Sequence, residues 1–172
     1  SEQRRSFLQV NLTARMRELG ITDYGSYYQQ VIAGPSGAVE WVVLLDRLTV
    51  QETQFFRHAP SFAVVTEFLT EKIHTQPAPA SIALWSVGCA SGEEAWLLAI
   101  STSEALRTTS QKIEFGVTAT DISHNALRQA RQAKYDLRRM DNVPAEWVQH
   151  YFTQQADGKY QVVNSLAKHL CF

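Results

Sequence analysis

The part of the chain after residue 81 alternates between two kinds of hydrophobic pattern, and this alternation restricts the fold more than any other feature. The apolar run IALWSVG precedes a helical pattern, EEAWLLAISTSEALRT, and the run KIEFGVTATD precedes a second one, SHNALRQARQAKY. Strands that alternate with helices at this spacing form right-handed βαβ units in a parallel sheet. The sequence therefore predicts an α/β domain with a Rossmann-like parallel sheet from residue 82.

The first 73 residues have a different period, which is typical of helices. Four stretches place apolar residues at helical spacing, at residues 6–20, 22–34, 38–50 and 59–73. Gly34-Pro35 is expected to end the second helix. The segment HTQPAPAS, residues 74–81, contains two prolines between polar residues and is typical of a linker. We therefore predict a small all-helical domain at 1–73, a linker at 74–81 and an α/β domain at 82–172.

The residues after Tyr135 lose the alternation of strand and helix. PAEWVQHYF predicts a short helix, and Asp157-Gly158 between two short apolar runs indicates a hairpin. We expect a small antiparallel β-subdomain at about 145–172. The chain stops on HLCF, a strand-like run, so we expect the α/β domain to be incomplete at its C-terminus.

Composition and charge exclude several classes of protein. The 172 residues carry a formal net charge of −1, which gives no reason to expect nucleic acid or insertion into a membrane. Two cysteines do not make a disulfide framework, so a reducing compartment, the cytoplasm, is expected. The histidines lack the spacing of metal ligands, and we expect no metal.

The turn in LWSVGCASGEEAW is the strongest candidate for a ligand site. Gly88 allows the chain to turn sharply after the first strand, where open α/β sheets bind ligands, and Gly92 removes a side chain where backbone would approach a ligand. Glu93 and Glu94 at the start of the next helix disfavour a pyrophosphate. Asp121, at the tip of the second strand, is placed to accept hydrogen bonds from a ribose diol. S-adenosylmethionine fits this chemistry. The alternative is that Glu93, Glu94 and Asp121 are ordinary charges in the first turns of helices.

Two neighbouring residues are interpreted as structural. Cys89 lies in the turn, but no arranged His–Asp partner for a nucleophile is evident in the sequence. Trp85 precedes the turn on the first strand and is expected to pack in the core.

Three segments in this order carry a resemblance to a known family. LTVQETQFFRHAPSF, LWSVGCASGEEAW and VTATDISHNALRQARQAKY resemble the chemotaxis receptor methyltransferases, the CheR-type family. The resemblance implies a helical domain followed by a Rossmann-like methyltransferase domain with a β-subdomain. It also implies S-adenosylmethionine as cofactor, S-adenosylhomocysteine as product, and O-methylation of glutamate side chains of a chemoreceptor. The implied partner is the cytoplasmic helical domain of the receptor, and a monomer is expected.

The resemblance also implies which residues form the site. Arg57 is the expected catalytic residue, because it matches the arginine of the family's FFR segment. The positions that match the family's cofactor-binding residues are Gln51, Thr53, Arg57, Glu94 and Asp121. Two departures stand out: Gln51 replaces the usual asparagine, and Ala95–Trp96 replaces a proline–tyrosine pair.

Two rival functions remain open at the level of sequence. A dinucleotide-dependent oxidoreductase is disfavoured, because the turn lacks a third glycine and carries the glutamate pair. A non-catalytic, methyltransferase-like docking module of a signalling pathway is compatible with the departures at Gln51 and Ala95–Trp96.

Overall fold

The computed structural model describes residues 2–49, 52–75, 77 and 79–172 as two compact units. The first unit comprises residues 1–50 with 122–125, and the second comprises residues 51–121 with 126–172. The predicted domain boundary at 74–81 stays a prediction about which segments fold independently. In the described part of the chain, no helix has both the length and the apolar character needed to cross a bilayer.

The first unit contains α1 (Glu2–Glu18), α2 (Tyr24–Ile32) and α3 (Gly34–Leu48). Asp23 caps α2 by accepting a hydrogen bond from the Ser26 amide at 2.9 Å. Gly34-Pro35 does follow the end of α2, but these residues also start α3, where proline lies in the first turn. A proline is tolerated there because the first helical amides have no partner within the helix.

A small apolar core and one buried carboxylate hold the first unit together. Met16, Tyr27 and Leu44 are buried together. Glu40, only 6% exposed, accepts hydrogen bonds from the Arg15 guanidinium at 2.8 and 2.6 Å and from the Tyr27 hydroxyl at 2.8 Å. These contacts satisfy the buried charge, and the bond from Arg15 is the main reason the pKa of Glu40 is lowered.

The second unit contains the predicted parallel sheet. The helices and strands of this unit are α4 (Ala59–His74), β1 (Ser81–Val87), α5 (Glu93–Leu106), β2 (Glu114–Thr120), most of α6 (His124–Gln132) and β6 (Leu170–Cys171). The strand order is β1-β2-β6, and both pairings are parallel. The sheet register aligns Val87 with Thr120, so β1 and β2 end side by side.

The second unit also contains a small antiparallel sheet. It contains β3 (Lys134–Tyr135), β4 (Phe152–Gln154) and β5 (Tyr160–Val162), in the order β3-β5-β4. A 3₁₀ turn (Leu137–Met140), α7 (Ala145–Tyr151) and α8 (Asn164–Ala167) connect these strands and β6. The hairpin at Asp157-Gly158 is confirmed by the pairing of β4 with β5.

One helix is shorter than its sequence pattern predicts. The pattern extends the helix to Tyr135, but α6 ends at Gln132 because Ala133 adopts a left-handed φ of 51°. Lys134 and Tyr135 then pair with β5 instead. This change of direction buries the ring of Tyr135, which is 3% exposed.

Helix α5 lies at the centre of the core of the second unit. Its buried residues include Trp96, Leu97 and Ile100, none more than 2% exposed, which is typical of a helix that is covered on most of its faces. The prediction for Trp85 is wrong: its side chain is 66% exposed, because the strand alternation buries Ser86 and turns Trp85 outward. Its indole donates a hydrogen bond to the Thr120 hydroxyl at 3.0 Å.

Candidate functional site

The turn between β1 and α5 is fixed by backbone hydrogen bonds to the end of β2. The amides of Gly88 and Cys89 both donate to the Thr120 carbonyl, at 2.8 and 2.9 Å. Gly88 has a φ of 73°, and a Cβ atom there would meet nothing within 4 Å. Gly88 therefore provides the change of direction and leaves open space beside the turn.

Gly92 has a different function from the one its sequence position indicates. It has a left-handed φ of 92°, and a Cβ atom there would lie 2.8 Å from the Ala130 Cβ and 3.2 Å from the Tyr135 hydroxyl. The glycine thus allows the turn to pack closely against α6. The interpretation that it lets backbone approach a ligand is not what the geometry requires.

The two glutamates after the turn have opposite environments. Glu93 is fully buried, accepts hydrogen bonds from the Ser91 hydroxyl at 3.1 and 2.8 Å, and forms an ion pair with Arg139. Glu94 is exposed, and its Oε1 accepts a hydrogen bond from the Ser86 hydroxyl at 2.7 Å. Of the two glutamates, Glu94 is therefore the one that presents its carboxylate to solvent beside the turn.

Asp121 lies at the tip of β2, as predicted. Its Oδ2 accepts a hydrogen bond from the Ala90 amide at 2.8 Å. Ala90 itself has a left-handed φ of 47°, which turns this amide toward the carboxylate. The structure therefore brings Glu94 and Asp121 to the same turn.

Thr53 and Arg57 lie together in a polar pocket of about 420 Å³. The Arg57 Nη1 donates to the Glu52 carbonyl at 2.8 Å, and the side chain is otherwise exposed. Between them, Phe55 is completely buried and meets the rings of Tyr135 and Phe152 edge to face, at centroid distances of 4.9 and 5.5 Å. The pocket is lined by Glu52, Thr53, Gln54, Arg57, Arg138 and Arg139. Gln51, the remaining predicted residue, lies outside the described residues.

Comparison with known proteins identifies the family. Residues 51–172 match the family model described as CheR methyltransferase, SAM binding domain. The chain belongs to the CheR methyltransferase family. Named relatives are the chemotaxis protein methyltransferases of Borreliella burgdorferi, at 28% identity over 100% of this chain, and of Salmonella typhimurium, at 29% over 100%. That of Klebsiella aerogenes is 30% identical over 98%. The chain spans 62%, 58% and 56% of these three relatives.

The matched model makes S-adenosylmethionine the cofactor of this CheR domain. The residues at the turn fit such a ligand, which carries positive charge, a ribose and no phosphate. Gly88 leaves open space, Glu94 presents an exposed carboxylate, and Asp121 lies at the tip of the neighbouring strand. Because Arg139 compensates the charge of Glu93, the net negative charge beside the turn is smaller than the sequence indicates.

The turn cysteine has no environment that would activate it in this CheR domain. Cys89 is 2% exposed, and burial, followed by the nearby charge of Asp121, raises its pKa to about 11. A thiol with a pKa this high is almost entirely protonated at neutral pH, and the thiolate is the nucleophilic form. The geometry agrees with a structural interpretation of Cys89.

Arg139 is the residue that sequence reasoning missed. It lines the pocket of Thr53 and Arg57, and its Nη1 also donates to the Ser91 hydroxyl at 2.6 Å. It is separated from Glu93 by 46 residues and belongs to a basic pair in the 3₁₀ turn, which resembles an ordinary surface charge. One signal in the sequence could have indicated such a residue. Glu93 precedes an apolar helical pattern, and a carboxylate buried there needs a charged or hydrogen-bonding partner.

Proposed function

We propose that the full-length protein transfers a methyl group from S-adenosylmethionine to glutamate side chains of a chemoreceptor. Membership of the CheR family and relatives named chemotaxis protein methyltransferase support this proposal. The observation that carries it is the polar pocket in which Thr53 and Arg57 lie together, connected through Arg139 to the turn that bears Glu94. The partner we propose is the helical cytoplasmic domain of the receptor, bound by a monomer.

The proposed reaction demands little proton chemistry from the protein. The cofactor supplies a methyl group that its sulfonium already activates. A glutamate side chain has a pKa of about 4.3 and is therefore ionised at neutral pH without a general base. What the chain must provide is alignment of the acceptor oxygen at about 3 Å, which can supply roughly 7–11 kcal/mol of barrier reduction.

The four described candidate residues divide this task between them. Glu94 and Asp121 would hold the cofactor at the turn, through its positive charge and its ribose hydroxyls. Arg57 and Thr53 would shape the reaction end. The Glu52 carbonyl uses one donor of Arg57, which leaves other N–H groups of the guanidinium fork for a carboxylate.

Substitution of Arg57 tests the proposal in the full-length protein. We expect Arg57→Ala to lower the rate of receptor methylation by roughly 10²–10³, as removal of one positioned donor does in other enzymes. Arg57→Lys keeps the charge but not the fork and should recover only part of the rate. Arg128→Ala, an exposed arginine of α6 that does not line the pocket, is the matched control and should leave the rate unchanged.

The possible outcomes separate the proposal from its rival. If Arg57→Ala methylates the receptor as fast as the wild type, Arg57 has no part in the mechanism. If the wild type binds S-adenosylhomocysteine but transfers no methyl group to receptor fragments, the protein is a non-catalytic docking module. Binding of NADH in preference to S-adenosylhomocysteine would support an oxidoreductase.

A further inference from the structure

A closed set of contacts connects the turn between β1 and α5 to the segment that carries Arg57. On one side, the Arg139 Nη1 contacts both the Glu93 carboxylate and the Ser91 hydroxyl. On the other side, the Arg139 carbonyl accepts a hydrogen bond from the Phe55 amide at 3.1 Å. The side chain of Arg139 therefore contacts the turn, while its backbone carbonyl is hydrogen-bonded to the segment that carries Thr53 and Arg57.

Tyr135 closes the set of contacts from the inside. Its hydroxyl donates to the Ser91 carbonyl at 2.8 Å, and its ring meets the ring of Phe55 edge to face. Burial, followed by the nearby charge of Glu93, raises the pKa of Tyr135 well above its usual value, so the hydroxyl remains a donor. The Ser91 hydroxyl and carbonyl are thus both held, by residues that also contact Phe55.

The geometry points to Arg139 as a positioning residue for methyl transfer, which acts by fixing the turn relative to the Arg57 segment. This inference rests on the proposed function. Glu93 and Glu94 are neighbours on α5, so their side chains point about 100° apart around the helix axis. When Arg139 holds Glu93 inward, Glu94 is directed outward beside the turn.

Stability alone does not explain the pair. A buried ion pair is weak evidence for stability, because apolar side chains of similar volume often replace one at no loss. The Arg139 side chain is also 37% exposed in the wall of the polar pocket, where an arginine is not required for packing. What an apolar pair would not reproduce is the hydrogen bond that holds the Ser91 hydroxyl.

Two variants of the full-length protein separate positioning from packing. Arg139→Lys keeps a positive charge beside Glu93 but loses the guanidinium Nη1 that contacts both the Glu93 carboxylate and the Ser91 hydroxyl. The double variant Arg139→Met/Glu93→Leu replaces the ion pair by apolar side chains. Arg107→Ala, which removes an ion pair with Glu104 at the other end of α5, is the matched control.

The measurements are the melting temperature, the Kd for S-adenosylhomocysteine by calorimetry, and the kcat and cofactor KM for receptor methylation. For Arg139→Lys we expect a melting temperature close to that of the wild type, a Kd and KM raised at least tenfold, and a lowered kcat. The double variant should show the same losses wherever it folds. The control should change Kd and KM less than twofold.

The outcomes distinguish this inference from the proposed function. If Arg139→Lys binds and methylates as the wild type does, the inference is overturned while the proposed function stands. If the double variant recovers both the melting temperature and the rate, Arg139 has only a packing role. A wild-type protein that binds no S-adenosylhomocysteine would overturn both.

Discussion

Replacement of Gly92 by alanine should destabilise the second unit for two separable reasons. The left-handed φ of 92° costs a residue with a Cβ atom about 1–2 kcal/mol. The new Cβ atom would lie 2.8 Å from the Ala130 Cβ, and overpacking of this kind costs about 1–3 kcal/mol. We therefore expect Gly92→Ala to lower the free energy of unfolding by about 2–5 kcal/mol.

Gly88→Ala is the matched control, because it shares the backbone cost without the clash. Gly88 has a φ of 73°, and a Cβ atom there meets nothing within 4 Å. This variant should lose only about 1–2 kcal/mol. Replacing glycine by alanine also lowers the conformational entropy of the unfolded chain, which stabilises the folded state. This effect is common to both substitutions and cancels when their free energies of unfolding are compared. Urea unfolding of the full-length protein, followed by tryptophan fluorescence, measures both.

A second substitution tests the clash directly. Ala130→Gly removes the nearest atom and itself costs about 1 kcal/mol as a glycine within a helix. Combined with Gly92→Ala, it should recover about 1 kcal/mol or more of the predicted clash, seen as coupling in a double-mutant cycle. Equal destabilisation by Gly92→Ala and Gly88→Ala, without coupling to Ala130, would refute the packing explanation.

Two further predictions concern a thiol and a carboxylate. Cys89 is buried with its pKa raised from 9.0 to about 11, which makes its thiolate about 100-fold scarcer, whereas Cys171 is exposed. Iodoacetamide at pH 8 should therefore label Cys171 and spare Cys89 until urea is added, as read by mass spectrometry. The pKa of Glu40 is lowered because Arg15 donates a hydrogen bond to its carboxylate. The ionised Glu40 therefore stabilises the fold at pH values above its usual pKa, and this stability is lost as the pH falls through the folded-state pKa. Urea unfolding at pH 7 and at low pH should show a smaller difference for Glu40→Gln than for the wild type.

The results that would contradict these two predictions are specific. Labelling of Cys89 in the native protein as fast as Cys171 would show that the turn opens readily. An unchanged dependence of unfolding on pH in Glu40→Gln would show that the buried carboxylate does not supply the acid sensitivity. Arg107→Gln, at an exposed ion pair, is a suitable control for a general change in charge.

The regular elements of the second unit were predictable because their signals are local. The apolar runs that form β1 and β2 and the helical patterns between them depend only on residues close in sequence. The two glycines that bound the turn and the carboxylates beside it could be identified for the same reason. Glu94 and Asp121 accordingly lie at one turn, as the sequence predicts.

The features that sequence reasoning missed depend on contacts between distant residues. Ala133 ends α6 in a left-handed conformation without the glycine that usually signals such an end. The opposite environments of Glu93 and Glu94 depend on Arg139, which is far away in sequence. Trp85 and Ser86 are adjacent, and only the packing of the sheet decides which of the two is buried.

The measurement that tests the central claim most directly is transfer of a labelled methyl group from S-adenosylmethionine to the cytoplasmic domain of a chemoreceptor by the full-length protein. We predict label on glutamate side chains that alkali releases as methanol, because carboxyl methyl esters hydrolyse in base. Arg57→Ala should lose this label while Arg128→Ala keeps it. Label that resists alkali, or no label from a protein that binds S-adenosylhomocysteine, would contradict the account.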